Sequence, residues 1–489
     1  SACGLPDALM RIPLLGFAPD LDPASPGILT DCNNIIPTTQ GLAAGNSRVS
    51  AGYPALAATC LGAYVAKLLN GTKRLFAGTS AAIYEGSSLV WTDRSRGGGY
   101  TGTNRWRWAM FGDITLATNR SQPLQAAPSS GAFADIAGAP TAAIVATASG
   151  FVMVFDYNDG TDTPDGWFCS GAYDHTIWTP AIATQCANGR LVDSPGRITA
   201  GHPLGPDMVA YKASSMYLGR YAGGNIVWSW SRIPGDIGVS GQESVVVVQT
   251  QHFFVGTDDF YTYDGTVPRS IGAPVREWFF DDLNRTYQAN IIGVADPARD
   301  LVYWHYPSTA STSGACDSVI VYNYRQDKWG KLSASVEAAV QYSSGQVTYD
   351  GLGALYSTYD SLPSIAYDSP FWLADSTVPA VIDTSHVLQQ LTGTPGASWF
   401  VTGDFGDDTA YTYISRVTPR YRVTPTAGTC TNFYKSTLSD TPTSDATVAM
   451  NRYRFDMRRA ARWHRFRFDF TAAVGLDGLD VQIKGSSAE

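Results

Sequence analysis

A chain of 489 residues is long enough for two or three ordinary domains, or for one repeat-built fold with an added domain. Its 48 Gly, 27 Pro, 26 Tyr and 13 Trp, against only 16% charged residues, favour short strands and tight turns over helices. The net charge of −9 argues against a nucleic-acid-binding surface spanning the whole protein, because a mildly negative body repels DNA. The seven cysteines (Cys3, Cys32, Cys60, Cys169, Cys186, Cys316 and Cys430) are far apart and form no CxxC pair. They are expected to be isolated buried thiols, not zinc ligands or a disulfide framework. The apolar run from Met10 to Phe17 is too short for an export signal and is broken by Pro13, and no run reaches the ~20 apolar residues of a membrane helix. A soluble protein made in a cytoplasm, with no membrane segment and no cofactor, is expected.

Residues 1–50 lack periodicity and are punctuated by Pro6, Pro13, Pro19, Pro23, Pro26 and Pro37. They are expected to form an extended N-terminal arm lying on a surface, able to close a ring of strands or to reach a neighbouring subunit. From about residue 52 a strand pattern begins. Ala63–Leu69, Arg74–Ala77, Ala82–Glu85 and Ser88–Thr92 are four short segments separated by Asn70-Gly71, Gly78-Thr79 and Gly86-Ser87, the size of one propeller blade. A second unit spans Arg105–Ile136, and further units are expected at 142–195, 207–240, 243–280, 289–340 and 345–385. The unit from Glu243 to Phe280 shows the turn grammar best. Val245–Val248, Phe253–Val255 and Phe260–Tyr263 are apolar runs closed by Gly256-Thr257-Asp258 and Asp264-Gly265-Thr266, which predicts a β-meander.

Tyr84 and Trp91, Tyr221 and Trp228, and Tyr322 and Trp329 are each seven residues apart around turn-like segments. That spacing predicts a recurring cross-strand aromatic pair. The expected fold is all-β: a degenerate β-propeller of about six or seven blades over 51–390, with the arm at 1–50 and a C-terminal antiparallel β-domain at 391–489. A pair of large β-sandwiches is the competing architecture. In the C-terminal domain, strands are expected at Tyr411–Tyr413, Arg420–Val423, Asn432–Lys435, Thr447–Phe455, Trp463–Phe470 and Leu479–Ile483, with one wet face.

Few residues point to chemistry. The loop Asp156–Asp162 is rich in acidic and amide oxygens but misses the register of a calcium-binding EF-hand, so it reads as a solvated turn. His175, His202, His252, His305, His386 and His464 fall in no metal-ligand spacing, and Asp174-His175 has no third partner defined by sequence. No nucleophile elbow, phosphate loop or dinucleotide fingerprint occurs. No catalytic, cofactor-binding or metal residue is therefore expected, and the protein reads as a non-enzyme. The strongest surface feature is Arg452, Arg454, Arg458, Arg459, Arg462 and Arg465, interleaved with aromatics including Trp463. Arginine with tryptophan can bind nucleic acid, or can anchor an interface with an acidic partner; a strand with a subunit contact is the preferred reading.

Several strings along the chain resemble one family. The opening IPLLGFAPDLDPASPGILTDCNNIIPTTQGLAAG is similar to the N-terminal arm of tail proteins of short-tailed bacteriophages. KRLFAGTSAAIYEGSSLVWTDRS and RWRWAMFGDITLATNRSQPLQ resemble their first two blades. SWSRIPGDIGVSGQESVVVV, FFVGTDDFYTYDG, PVREWFFDDLN, ADPARDLVYWHYPS and VIVYNYRQDKWGKL follow in the same order, and ARWHRFRF is in keeping near the end. The resemblance, over most of residues 1–340, is to the tail nozzle or head-completion stabilisation proteins of podoviruses. It implies a virion structural protein in the tail, a homo-oligomeric ring (a hexamer) below the portal adaptor ring. Such a ring extends the DNA channel, retains packaged DNA with a plug or needle protein, passes DNA without sequence-specific binding, and supports tail fibres or spikes. The other class of function, a carbohydrate-binding or glycan-cleaving propeller, would call for an export signal and carboxylates converging in a pocket.

Overall fold

Four valines in a row, a two-residue turn and two aromatic runs build a sheet that needs nothing beyond its own sequence neighbours. In the computed structural model, which describes residues 8–343 and 377–486, Val245–Val248 pairs with Gln251–Val255, which pairs with Phe260–Tyr263, which pairs with Arg269–Ser270. The meander expected here is present, with Phe253, Phe254, Phe260 and Tyr263 buried. We number this blade V. Four more free-standing four-stranded meanders precede it. Blade I is Gly62–Lys67, Lys73–Gly78, Ile83–Ser87 and Val90–Asp93. Blade II is Arg107–Phe111, Ile114–Thr118, Gln125–Ala127 and Ala134–Asp135. Blade III runs from Thr141–Ala148 to Ala187–Arg190, and blade IV from Ile198–Leu204 to Val227–Arg232.

Each blade is most exposed on its last strand and buries its second, and neighbouring blades share an apolar layer. Phe76 and Ile83 of blade I pack with Trp106 and Ala117 at blade II. Ala109 and Leu116 pack with Val145 and Val152 of blade III. Phe155 and Trp167 meet Met208, Tyr217 and Trp228 of blade IV, and Val209 and Tyr211 meet Phe254 and Tyr263 of blade V. This is a β-propeller arrangement.

Among the described residues, free-standing blades number five, not six or seven. The physical reason lies in one strand. After blade V, Ile292–Asp296, Leu301–Tyr306 and Cys316–Asn323 again form a meander, but its last strand, Lys328–Tyr342, is 15 residues long. The first part of that strand pairs with Cys316–Asn323; its second part, from Val336, pairs with Val378–Asp383. Val378–Asp383 then pairs with Leu388–Gly393, and that strand with Ser47–Ser50. Two sheets are thereby fused, and strands of the arm and of the C-terminal part extend them to a sheet of 13 strands. Most of the unit expected at 345–385 lies outside the described residues.

The N-terminal arm is extended, as its prolines require, but it is not laid on a surface: Ile12, Leu14, Phe17, Leu29, Ile35 and Leu42 are all buried. Its strands are members of sheets that the far end of the chain completes. Ala8–Pro13 pairs with Gly475–Ser486, and Ile28–Asn33 pairs with Ser398–Thr402. Ile35–Pro37 pairs with Leu42–Ala44 and also touches the long strand through Lys331, while Leu42–Ala44 pairs with Gly475–Ser486. Gly330 admits this crossing, because a side chain there would collide with the carbonyl of Ile35. Beyond residue 397 the chain forms a two-sheet sandwich. One sheet holds Tyr411–Val423, Phe455–Ala461 and Gly475–Ser486; the other holds Ser398–Thr402, Gly428–Lys435 and Trp463–Phe470. Phe400, Phe466, Phe468 and Phe470 fill its core, and the same apolar cluster continues without a break into Val246, Phe260, Trp304 and Trp329 of the propeller side.

Two of the three expected Tyr–Trp pairs form. Tyr221 lies opposite Trp228 and Tyr322 opposite Trp329, with ring centroids 6.2 and 4.6 Å apart. Tyr84 instead faces Asp93, because the hairpin turns at Ser88-Leu89, both in the left-handed region, and not at Gly86-Ser87. Trp91 then packs against Tyr53, with ring centroids 4.8 Å apart and the planes tilted by 37°. The segment after blade V also departs from the meander pattern, since Arg276–Asp282 is an α-helix. Its first turn is capped from the N-terminal arm, where Asp20 accepts hydrogen bonds from the backbone N–H of Glu277 (2.6 Å) and Trp278 (3.0 Å). No helix among the described residues is long and apolar enough to cross a membrane.

Candidate functional site: an arginine-lined cavity and an arginine-rich corner

The alternation Arg105-Trp106-Arg107-Trp108 at the entrance to blade II decides which way its side chains point. Trp106, 1% exposed, goes into the layer between blades I and II, where its indole N–H donates to the carbonyl of Thr79 at 2.9 Å. Arg105 and Arg107 go the other way, towards the middle of the propeller, and both reach Glu243 at the entrance to blade V. Arg107 lies 2.8 Å from the Glu243 carboxylate, and Arg105 is bidentate on it while also donating to the carbonyl of Glu337 at 3.0 Å. Blades II and V are not neighbours, so this cluster spans the middle of the ring. Burial alone would raise the Glu243 pKa, but Arg105 and Arg107 outweigh it and hold the carboxyl below its usual range.

Beside this crosspiece is a cavity of about 530 Å³ lined by residues of blades II, III and IV and by the segment leading to blade V. Arg105, Arg107, Arg120 and Arg197 face it, with Asn104, Asn119 and Asn290 between them. Arg120 pairs with the carboxylate of Asp156 and, at the rim, with Asp162, and donates to the backbone carbonyl of Asp156 at 2.6 Å. Arg197 reaches the other oxygen of Asp156 at 3.1 Å. The acidic loop of the sequence thus has its first and last carboxylates turned to arginine, while Asn158 closes the turn by accepting from the N–H of Gly160 at 2.9 Å. Of the residues lining this cavity the sequence singled out only Asp156, in a loop read as a solvated turn, and Asp156 is instead buried against arginine. For the others the only signal was the two-residue spacing of Arg105 and Arg107, which puts both on one face of an extended chain.

His252 and His305 are buried and His202 is partly so, and that burial holds these three histidines neutral. His252 accepts from the hydroxyl of Tyr211 (2.6 Å) and donates from its other nitrogen to the carbonyl of Pro203 (2.9 Å). Burial lowers its pKa to about 4 and that of His305 to about 4; His202, also near its neighbour His252, is lowered to about 3.

The structure splits the arginine-rich segment at a corner. Arg454, Arg458 and Arg459 belong to the turn and strand on one sheet of the sandwich, Trp463 and Arg465 to a strand of the other, and Arg462 lies at the bend between them. Several of these charges are satisfied internally. Arg465 is bidentate on Asp404 (2.8 and 2.9 Å), a carboxylate that is 1% exposed and shared with Lys435 at 2.8 Å. Arg459 is bidentate on Asp445 and lies 4.4 Å over the ring of Tyr434. Arg454 stands 3.5 Å from Asp456, which Arg416 holds more closely. Trp463 is buried and donates to Asp408 at 2.6 Å. Arg462 lies 5.3 Å over Tyr411. Arg452 and Arg458 are exposed and belong to no ion pair among the described residues. The outward-facing part of the segment is therefore Arg452, Arg458 and the edge of Arg462.

No protein-family model matches this chain, and no curated protein sequence does. Among solved structures it is similar to the computationally designed Ika8 protein, with 12% identity over 71% of this chain and 100% of that one and a TM-score of 0.38. It is also similar to YCF48 bound to a D1 peptide, with 10% identity over 74% of this chain and 98% of that one and a TM-score of 0.40. Likenesses this distant carry no functional argument.

Proposed function

We propose that this protein is a non-enzymatic virion component, one copy of a ring-forming nozzle in the tail of a short-tailed phage. The reading starts from the order of family-like strings along residues 1–340. The observation that carries it further is the junction between the two parts of the molecule. A part that bears load across a tail must not hinge between its domains. Here the propeller and the sandwich share sheet hydrogen bonding through Ile35–Pro37 and Leu42–Ala44, and share one apolar cluster. Such a junction, paired and packed at once, resists relative motion far better than a polar interdomain surface.

In this reading the two parts of Lys328–Tyr342 act as the ends of a sixth and a seventh blade, the seventh closed on its outside by Ser47–Ser50. Support comes from the apolar layer that joins Ala338, Val340 and Ile382 to Leu75 and Ala77 of blade I, and from the layer that joins Val294 and Tyr303 to Val336 and Val381. Loops on the two faces of the propeller then meet unlike neighbours: the adaptor ring, and fibres or a plug. The net charge of −9 suits a wall along which DNA slides without sticking.

Arg452 and Arg458 are the contacts to a neighbouring subunit or adaptor in this assembly. Light scattering and electron microscopy of the protein, alone and with the adaptor, are expected to show a closed ring or an adaptor-dependent one. Arg452→Glu with Arg458→Glu is expected to weaken assembly at least tenfold while leaving the protomer folded, since neither side chain belongs to an ion pair among the described residues. A protein that stays monomeric under both conditions and binds or cleaves glycans would overturn the proposal.

A further inference from the structure

We propose that the cavity between blades II, III and IV is a binding site for the oxyanion group of a small molecule, a phosphate or a carboxylate. The argument stands apart from the nozzle reading and rests on a surplus of donors. Four guanidinium groups, Arg105, Arg107, Arg120 and Arg197, face two carboxylates, Glu243 and Asp156, with a third, Asp162, only at the rim. Arginine can only donate, and its planar fork matches the paired oxygens of a carboxylate or phosphate.

Asn119 supplies an independent observation. It lines the same cavity, is 2% exposed, and its side-chain NH₂ has no acceptor among the described residues. Its other end is fixed, because the amide oxygen accepts from the backbone N–H of Ser121 at 3.1 Å; the unpaired end is therefore the donor end. A buried donor without an acceptor is rare in a folded protein and calls for a partner. The next residue, Arg120, has a left-handed backbone (φ 63°), uncommon outside glycine, and this strained turn is held by its bonds to Asp156. The backbone conformation and the pairing together hold the Arg120 cation at the cavity that Asn119 also lines. Its volume of about 530 Å³ is that of a small-molecule site.

The test uses the full chain, with inorganic phosphate and succinate titrated calorimetrically at constant ionic strength and each checked by thermal shift. One of the two is expected to bind with one-to-one stoichiometry, at least tenfold more tightly than the other, which identifies the source of the oxyanion. Asn119→Asp keeps the acceptor for Ser121 but replaces the donor by a negative charge, and is expected to weaken that binding more than tenfold. Arg197→Gln, at a side chain 56% exposed and bonded only to Asp156, is expected to weaken it several-fold without unfolding the protein. Circular dichroism of both variants without ligand checks the fold, and if Asn119→Asp fails to fold, Arg197→Gln decides. Absence of binding by both anions up to 10 mM, or binding unchanged by the variants that fold, overturns the proposal.

Discussion

Blades I to V and the C-terminal sandwich are both antiparallel, yet they are assembled in opposite ways. Within a blade every strand pairs with its neighbour in sequence, across short connections except in blade III, where residues 170–186 lie between the last two strands. In the sandwich, Ala8–Pro13 pairs with Gly475–Ser486 and Ile28–Asn33 with Ser398–Thr402, so partners stand hundreds of residues apart. Local meanders lose little chain entropy on closing, whereas the pairings between the arm and the sandwich have to bring the two ends of the chain together before they count. The blades are units that repeat; the sandwich is a clasp that closes the whole.

Breaking the clasp should therefore give the largest effect. Removing residues 8–46 takes out eight large buried apolar side chains (Ile12, Leu14, Phe17, Ile28, Leu29, Ile35, Ile36 and Leu42), worth on the order of 10–20 kcal/mol at about 1.5–3 kcal/mol each. That is comparable with the whole stability of a domain. Hydrogen exchange is expected to show the sandwich unprotected while blades I to IV keep protected middle strands; uniform loss of protection would show that the blades depend on the clasp as well. A smaller cut at the junction separates the two kinds of region further. Trp329, 1% exposed, packs on Phe260 at 4.7 Å and Tyr322 at 4.6 Å, and Trp329→Ala should cost about 4 kcal/mol. Its exchange footprint should reach both blade V and the sandwich. Trp106→Ala, similar in cost, should be felt only in blades I and II, because Trp106 packs in their shared layer.

Acid probes the blades next. His252 and His305 have folded pKa values of about 4, below the ordinary value near 6.5, so on acidification the unfolded chain takes up protons first. The stability held at neutral pH is expected to fall between pH 6.5 and 4 and to level off below, by roughly 3 kcal/mol for each histidine. Denaturant titrations at stepped pH measure this, and His252→Phe should flatten the slope in that window if it is otherwise tolerated. The mildest test is Asp20→Ala, which removes the cap from Arg276–Asp282 and should cost about 1 kcal/mol in the same titrations.

What could be read in advance follows the same division. Val245–Val248 and Phe260–Tyr263 declare themselves by β-branched and aromatic runs with local pairing, and Phe466–Phe470 by strict alternation, a pattern visible even though its partners lie far along the chain. The helix Arg276–Asp282 was hidden, since its cap comes from Asp20, far away in the arm. So was the fate of the arginine-rich segment. Seven arginines within sixteen residues look like one patch in sequence, but a corner at Arg462 sends them to two sheets, where Asp404 and Asp445 neutralise two of them. The cavity was less legible still. Arg105, Asn119, Arg197 and Glu243 come from separate stretches, and no spacing relates them until the blades are arranged around an axis.

By itself, the sequence determined the all-β class, the turn positions of most hairpins and the succession of blade-sized units, because these depend on local propensity and on a period of two. Tertiary structure alone decided that the arm is core and not surface, that free-standing blades among the described residues number five, and that Glu243 meets Arg105 and Arg107 across the middle of the ring. Each of those outcomes depends on contacts between distant parts of the chain, whose free energy comes from shared burial and charge pairing and leaves no periodic trace in the order of residues.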